Sequence, residues 1–332
     1  MTTRPAHIHF WSPTGSPLGI DSWRPDDEPE RFADGRGHAL FELFARARAA
    51  GRDASLGATV PDGTALVVVF AKDLGAKASL RLIARAAYLP TVVILGDWNP
   101  GLRLPVRGTV VVRHHGRSAR TPREVVLPLL PQRGLKPRSP DRFGHVATIG
   151  FQGDPRQAPA FWSDRAFERT LRSLRVDVVR SSDARRTWHD FSALDAVLCM
   201  RARHLRASHK PPTKLVNAWT AGSIPIVGPE PAYRELVTDG SDGLLVSDER
   251  SVVAAVERLV TDPATVARLE SGVLRRRVEY SPESVLGRWL AVLDEAAVVE
   301  ARTRGPALGY ALGRWVRAQA SNHRPGGGIA RM

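Results

Sequence analysis

Apolar residues along this chain recur in two alternating patterns, short unbroken runs and longer stretches with one apolar face. Ile8-His9-Phe10-Trp11 opens the series as a short strand before a loop rich in proline and glycine. Gly35-Arg36-Gly37 leads into a helix whose apolar face is Leu40, Leu43, Phe44 and Ala47, and Gly51 ends it. Leu66 to Phe70 forms a continuous apolar run, as expected of a strand buried on both faces. Leu80 to Leu89 reads as a helix stopped by Pro90, and Val92 to Leu95 as a strand that delivers Gly96-Asp97-Trp98 to its carboxyl end. Val110 to Val112 and Val125 to Leu127 complete a first sheet. Strands and helices in alternation predict an α/β domain with a parallel sheet.

Residues 131–144 are rich in proline, glycine and arginine and lack apolar periodicity, which marks them as a linker. A second α/β series follows. Its strands are Val146 to Phe151, Ala196 to Met200, Ile224 to Val227 and Gly243 to Val246. Its helices are Phe167 to Leu174 and Lys214 to Ala221, then three running from Ser251, Pro263 and Pro282. An amphipathic segment from Pro306 to Ala320 carries Leu308, Leu312, Trp315 and Val316, and Pro325-Gly326-Gly327-Gly328 begins a tail predicted to be disordered. The expected organisation is two Rossmann-like domains, 1–135 and 145–300, then a helix at 305–320 and a tail at 321–332.

With 332 residues, 43% hydrophobic and 25% charged, the chain can build two such cores. No stretch approaches the roughly 20 apolar residues of a membrane span, and the N-terminus lacks the apolar core of a signal peptide. A cytoplasmic protein is expected. The lone cysteine, Cys199, falls inside an apolar strand and reads as a core residue. The net charge of +14 is unevenly spread. Residues 101–140 hold nine basic against one acidic side chain, and residues 301–332 six against none. Elsewhere the signs balance. Such segments attract polyanions, an anionic membrane surface among them, although arginine-rich composition alone gives the same excess. Nothing matches a nucleic-acid recognition motif or a stacking platform of interleaved aromatics, so nucleic acid is not the expected partner.

Candidate chemistry concentrates after residue 205. His209-Lys210-Pro211-Pro212-Thr213-Lys214 leads into a helix whose first backbone N–H groups have no intrahelical partner. Two lysines beside such a terminus make an anion site that suits a diphosphate. In the second domain Gly153-Asp154-Pro155-Arg156 follows the first strand, which makes Arg156 a further phosphate candidate. In the first domain Asp97 could take the proton of an attacking hydroxyl and Trp98 could stack on a sugar ring. His38 stands at a helix start. His114 and His115, adjacent on a strand, face opposite ways and cannot share a metal.

The stretch from His209 through Ala218-Trp219-Thr220-Ala221-Gly222, Ile224-Pro225-Ile226-Val227-Gly228 and Tyr233-Arg234-Glu235-Leu236-Val237 to Asp239-Gly240-Ser241-Asp242-Gly243-Leu244-Leu245-Val246 resembles the donor-domain signature of the group 1 GT-B glycosyltransferases. The match covers about residues 205–260, with Trp188 to Val197 similar to the segment before it. The resemblance implies a GT-B fold, two Rossmann-like domains whose parallel sheets face a central cleft, with a last helix crossing back to the first domain. It implies transfer of a sugar from a nucleotide diphosphate donor to an acceptor, which is a glycan, a lipid-linked species or a small molecule. Lys214 and Asp97 are the candidate catalytic residues. The donor contacts expected are Gly153, Arg156, His209, Lys210, Thr213, Asn217, Glu230, Tyr233 and Glu235.

Family members commonly carry two glutamates eight positions apart, toward the donor sugar and the ribose. Here those positions fall on His209 and Asn217. An amide can still bond a ribose hydroxyl, whereas an imidazole does not replace a carboxylate. A non-catalytic sugar-nucleotide-binding protein therefore stands as one alternative, and a sugar-nucleotide epimerase on the same fold as another. No Asp-x-Asp pair, Walker loop or Gly-x-Ser-x-Gly elbow occurs. The expected reaction needs no metal and no cofactor besides the donor.

Overall fold

The computed structural model describes residues 6–32, 34–75, 89–96, 109–114, 124–180, 187–202 and 210–298. Asp97, Trp98, His115, His209 and the segments 305–320 and 321–332 lie outside them. Two parallel sheets organise the chain. The first comprises β1 (His7–Trp11), β2 (Ala54–Gly57), β3 (Thr64–Phe70), β4 (Thr91–Ile94), β5 (Thr109–Arg113) and β6 (Glu124–Val126), in the order β2-β1-β3-β4-β5-β6. The second comprises β7 (Thr148–Gly150), β8 (Asp177–Val179), β9 (Ala196–Cys199), β10 (Ile224–Val227) and β11 (Leu244–Leu245), in the order β11-β10-β9-β7-β8. In both sheets the first strand lies between the second and the third. Chain direction across the sheet therefore reverses there, and α/β folds bind ligands beyond the carboxyl ends of the strands at such a point.

The long apolar runs became central strands for the expected reason. In β3, Leu66 to Val69 are each fully buried, as are Ala196, Leu198 and Cys199 in β9. The edge strands β2 and β8 carry no such signature. Ala54-Ser55-Leu56-Gly57 is only half-buried throughout, and Asp177 and Val179 are exposed.

Helices cover the sheets and are capped by their own sequence. Helix α1 (Glu42–Ala49) continues a π-helical turn at Gly37–Phe41. Asp164 caps α2 (Arg165–Ser173) by accepting the Ala166 N–H. Helix α3 (Thr213–Ala221) ends at Gly222, whose φ of 82° is the left-handed conformation that glycine adopts without strain. A short helix, α4 (Pro231–Leu236), follows β10. Asp248 and Ser251 form a capping box at α5 (Glu249–Thr261), and Asp262 caps α6 (Pro263–Glu279).

Helix α7 (Pro282–Val298) packs against β3, β4 and α1 of the first domain as well as against α6. Its Trp289 indole donates to the Pro128 carbonyl at 2.9 Å, and its Asp294 pairs with Arg52. This helix thus contacts both domains. One hydrophobic cluster is continuous across the two halves, running from Phe10 and Val68 through Leu130 to Trp219 and Trp289.

The linker is pinned as well. Arg138, fully buried, donates to Asp195 at 3.3 Å, to Glu270 at 2.8 Å and to the His145 carbonyl at 2.9 Å. Asp195 also accepts from Arg142 and from the backbone N–H groups of Ala147 and Thr148. Burial pushes the Asp195 carboxyl up, but its Arg142 and Ala147 hydrogen bonds and the charges of Arg138 and Arg142 hold it below the usual range.

Candidate functional site

Between the sheets lies a cavity of about 770 Å³, within the range of small-molecule sites. Its first-domain wall comes from the carboxyl ends of β3 and β4 (Phe70, Lys72, Gly96) and from the turn that starts α1 (Asp34, Gly35, His38). The second-domain wall comes from the carboxyl ends of β7 (Gln152, Gly153, Asp154) and β9 (Arg201) and from the start of α3 (Pro211, Thr213, Lys214, Asn217). Both walls lie where the reversed strand order leaves a crevice.

Charge is divided between the walls. Among the described lining residues, the second domain supplies Arg201, Lys210 and Lys214 against Asp154 alone, and the first supplies Glu30 and Asp34 against Lys72. The cationic half coincides with the N-terminus of α3, whose N-cap residue is Pro212 and gives it no side-chain cap. The nine-residue helix adds the positive end of its dipole to the same wall.

Lys214 stands in the first turn of that helix. Its Nζ donates to the Gln152 carbonyl and lies 4.1 Å from the centroid of the Phe151 ring. Burial first, then the neighbouring Arg201 charge, push Lys214 down to about 7 from an ordinary 10.5. Gly153 makes this placement possible. Its φ of 117° disfavours any other residue, and a Cβ there would run into the Lys214 ammonium. Strand end, glycine and lysine thus form one unit.

Asn217, the expected ribose contact, is bonded within the protein. Its Nδ2 donates to Gln132 Oε1 at 2.6 Å, and its Oδ1 accepts the Gln132 backbone N–H at 3.2 Å. The amide therefore ties α3 to the linker at the cavity wall. Thr213 and Lys210 line the cavity. Arg156 does not. It sits in a short 3-10 turn, 87% exposed, and forks onto Asp154 two residues away, which satisfies it locally. Its hydrogen bonds hold the Asp154 carboxyl below its ordinary range.

Glu230 and Tyr233 are buried behind the wall and do not line it. Burial raises both the Glu230 carboxyl and the Tyr233 phenol. Glu235 is exposed on α4, away from the cavity. Asp97 and His209 fall outside the described residues; Gly96, immediately before Asp97, does line the cavity.

Sequence reasoning missed Arg201 and Gln132. The rule that singled out Asp97, a polar residue just past a strand's carboxyl end, also finds Arg201 beyond Cys199-Met200. Gln132 gave no signal, because its partner is 85 residues away.

Two other features bear on chemistry. Cys199 is fully buried, and burial pushes its thiol up to about 12, which suits a core residue and not a nucleophile. The four described basic residues of the 101–140 segment all face carboxylates: Arg113 with Glu124, Arg133 with Glu42 and Asp26, Lys136 with Asp190, and Arg138 with Asp195 and Glu270. Their charge is compensated within the protein.

No family model matches the sequence, and no curated protein does. Solved structures do. HepE of Anabaena, solved with UDP and glucose, is 13% identical with a TM-score of 0.52, covering 87% of this chain and 100% of that one. The sucrose-phosphate synthase of Thermosynechococcus elongatus is 13% identical with a TM-score of 0.54, over 87% and 98%. AviGT4, a glycosyltransferase involved in avilamycin A biosynthesis, is 14% identical with a TM-score of 0.53, over 88% and 98%. At these identities the likeness shows the fold, and the fold is GT-B.

Proposed function

We propose that this chain is a glycosyltransferase that moves a sugar from a nucleotide diphosphate donor to an acceptor hydroxyl. The observation that carries the reading is the Gly153–Lys214 unit beside the start of α3, on the cationic wall of an interdomain cavity. In the reaction the bond between the anomeric carbon and the phosphate oxygen breaks, and the acceptor oxygen bonds to that carbon. Negative charge grows on the departing diphosphate. A fixed ammonium and a helix terminus aimed at it favour the transition state over the bound donor.

Asp97, one residue past the lining Gly96, is the candidate to take the acceptor's proton. Thr213 and Lys210 are the further donor contacts. The acceptor is a hydroxyl on a glycan, a lipid-linked species or a small molecule, and the reaction proceeds without a divalent metal. HepE has been solved with UDP and glucose and with UDP-glucose, so uridine donors head any survey.

The test is nucleotide release from UDP-, GDP-, TDP- and ADP-sugars with an acceptor mixture in excess EDTA. Release dependent on both donor and acceptor supports the reading. Activity that EDTA abolishes and magnesium restores overturns its metal-independent part. The engaged Asn217 amide favours a second reading, a non-catalytic sugar-nucleotide-binding protein. That protein would bind the donor and release nothing, and an epimerase would convert the donor sugar without acceptor. Association with anionic membrane surfaces is also proposed, resting on the basic residues outside the described ones. Salt-sensitive cosedimentation with anionic and not neutral vesicles tests it.

A further inference from the structure

Arg201 begins the loop after β9, at the cationic end of the cavity. Its side chain is 5% exposed, and its guanidinium lies 5.3 Å over the Tyr233 ring. Two of its nitrogens, Nε and Nη1, have no hydrogen-bond partner among the described residues, and Nη2 reaches only the Pro211 carbonyl at 3.5 Å. A buried guanidinium with its hydrogen bonds unmade is unfavourable. The obvious partner, Glu230, is held just out of reach. Its Oε1 accepts the backbone N–H of Arg201 at 2.8 Å and stands 3.8 Å from Nη1, and its Oε2 has no hydrogen-bond partner among the described residues. Gly228 leaves the space for that carboxylate, because a Cβ there would overlap Oε2.

This arrangement differs from a structural ion pair such as Arg138–Glu270, which closes to 2.8 Å. Glu230 fixes the backbone of Arg201 and leaves the guanidinium short of partners in the same wall as Lys214. We propose that Arg201 binds the second phosphate of the donor, and that Glu230 is its positioning residue. The geometry suits a ligand with two linked anionic groups. One phosphate lies against Lys214 and the start of α3, and the other draws the planar guanidinium edge to it. Arg201 then sets the discrimination between nucleoside diphosphates and monophosphates. The inference rests on the nucleotide-donor reading above and adds to it the residue that recognises the diphosphate.

Calorimetric titration of the full chain with matched pairs, UDP and UMP, GDP and GMP, TDP and TMP, ADP and AMP, tests it. The wild type is expected to prefer the diphosphate of the pair it binds. R201Q should weaken diphosphate binding by about tenfold or more, the scale of one charge-assisted hydrogen bond, and leave monophosphate binding within about twofold. E230Q, whose amide oxygen can still accept the Arg201 N–H, should retain the diphosphate preference, and E230A should lose it. If R201Q does not fold, R201K decides. A lowered preference supports the proposal, because one ammonium does not reproduce a forked contact, and an unchanged one overturns it. An unchanged preference in R201Q, or equal loss of both ligands, overturns it too. A wild type that binds nucleotides without preferring diphosphates sinks this inference alone. A wild type that binds no nucleotide sinks the donor reading beneath it.

Discussion

Raising the pH above neutrality should weaken the donor site through Lys214, whose lowered pKa sets the sign of the effect. Burial and then the neighbouring Arg201 charge push Lys214 down to about 7, with Asp154, Glu230 and Cys199 the other ionisable groups around it. A bound diphosphate holds the ammonium form. Below that pKa the affinity should be flat. Above it only the charged fraction binds, so Kd should rise about tenfold per pH unit. Near pH 8.5 roughly one lysine in thirty remains charged, and affinity should be about thirtyfold weaker than its plateau.

Free-protein stability should move the other way. A lysine with a depressed folded pKa binds fewer protons folded than unfolded between about 7 and 10.5. Its contribution to stability therefore grows with pH across that window. A nucleotide sugar is the right ligand, because a terminal phosphate itself titrates near about 6 and both phosphates of the sugar nucleotide are esterified. Titration in two buffers of different ionisation enthalpy reads the proton taken up. Lys214→Arg, which keeps the charge and removes the titration, should flatten the profile. A Kd that stays constant from about pH 6 to 9 in the wild type, or an unchanged slope in Lys214→Arg, would refute the placement of this ammonium on the diphosphate.

Three other outcomes follow from the geometry. Arg138→Ala leaves the buried Asp195 and Glu270 without their shared cation, so it should cost about 3–5 kcal/mol in urea unfolding; a loss under about 1 kcal/mol would show the linker is not pinned by this network. Gly153→Ala forces a side chain into a backbone at φ 117° and into the Lys214 ammonium. It should destabilise the fold by about 1–3 kcal/mol and weaken nucleotide binding, and unchanged binding would separate the glycine from the site. Arg156→Ala removes an exposed side chain paired only locally, so nucleotide affinity should change less than about twofold; a tenfold loss would restore Arg156 to the phosphate site.

The central strands were legible because burial on both faces demands an unbroken apolar run, as in Leu66–Phe70. The edge strands β2 and β8 were not, since an edge needs no such run. Gly153 and Lys214 stood out for a local reason, a strand-end glycine and a lysine in a helix's first turn, and the structure brings the two together in the cavity wall. Sequence proximity of Arg156 to Gly153 says nothing of the carboxylate that it forks onto two residues away. Arg201, Glu230 and Asn217 depend on contacts between distant segments. The Glu230 carboxylate reaches back to the Arg201 backbone, and Asn217 meets Gln132 from the linker. These contacts form only once the second sheet has brought β9, α3 and the loop before α4 together.

Thermal unfolding with UDP, GDP, TDP and ADP, each over a range of concentrations, tests the nucleotide-donor claim most directly. Binding to the folded chain alone stabilises it by RT ln(1 + [L]/Kd), about 2.7 kcal/mol at a hundredfold excess over Kd. At least one of the four diphosphates should raise the melting temperature in this concentration-dependent way. A melting temperature that none of them moves would contradict the account.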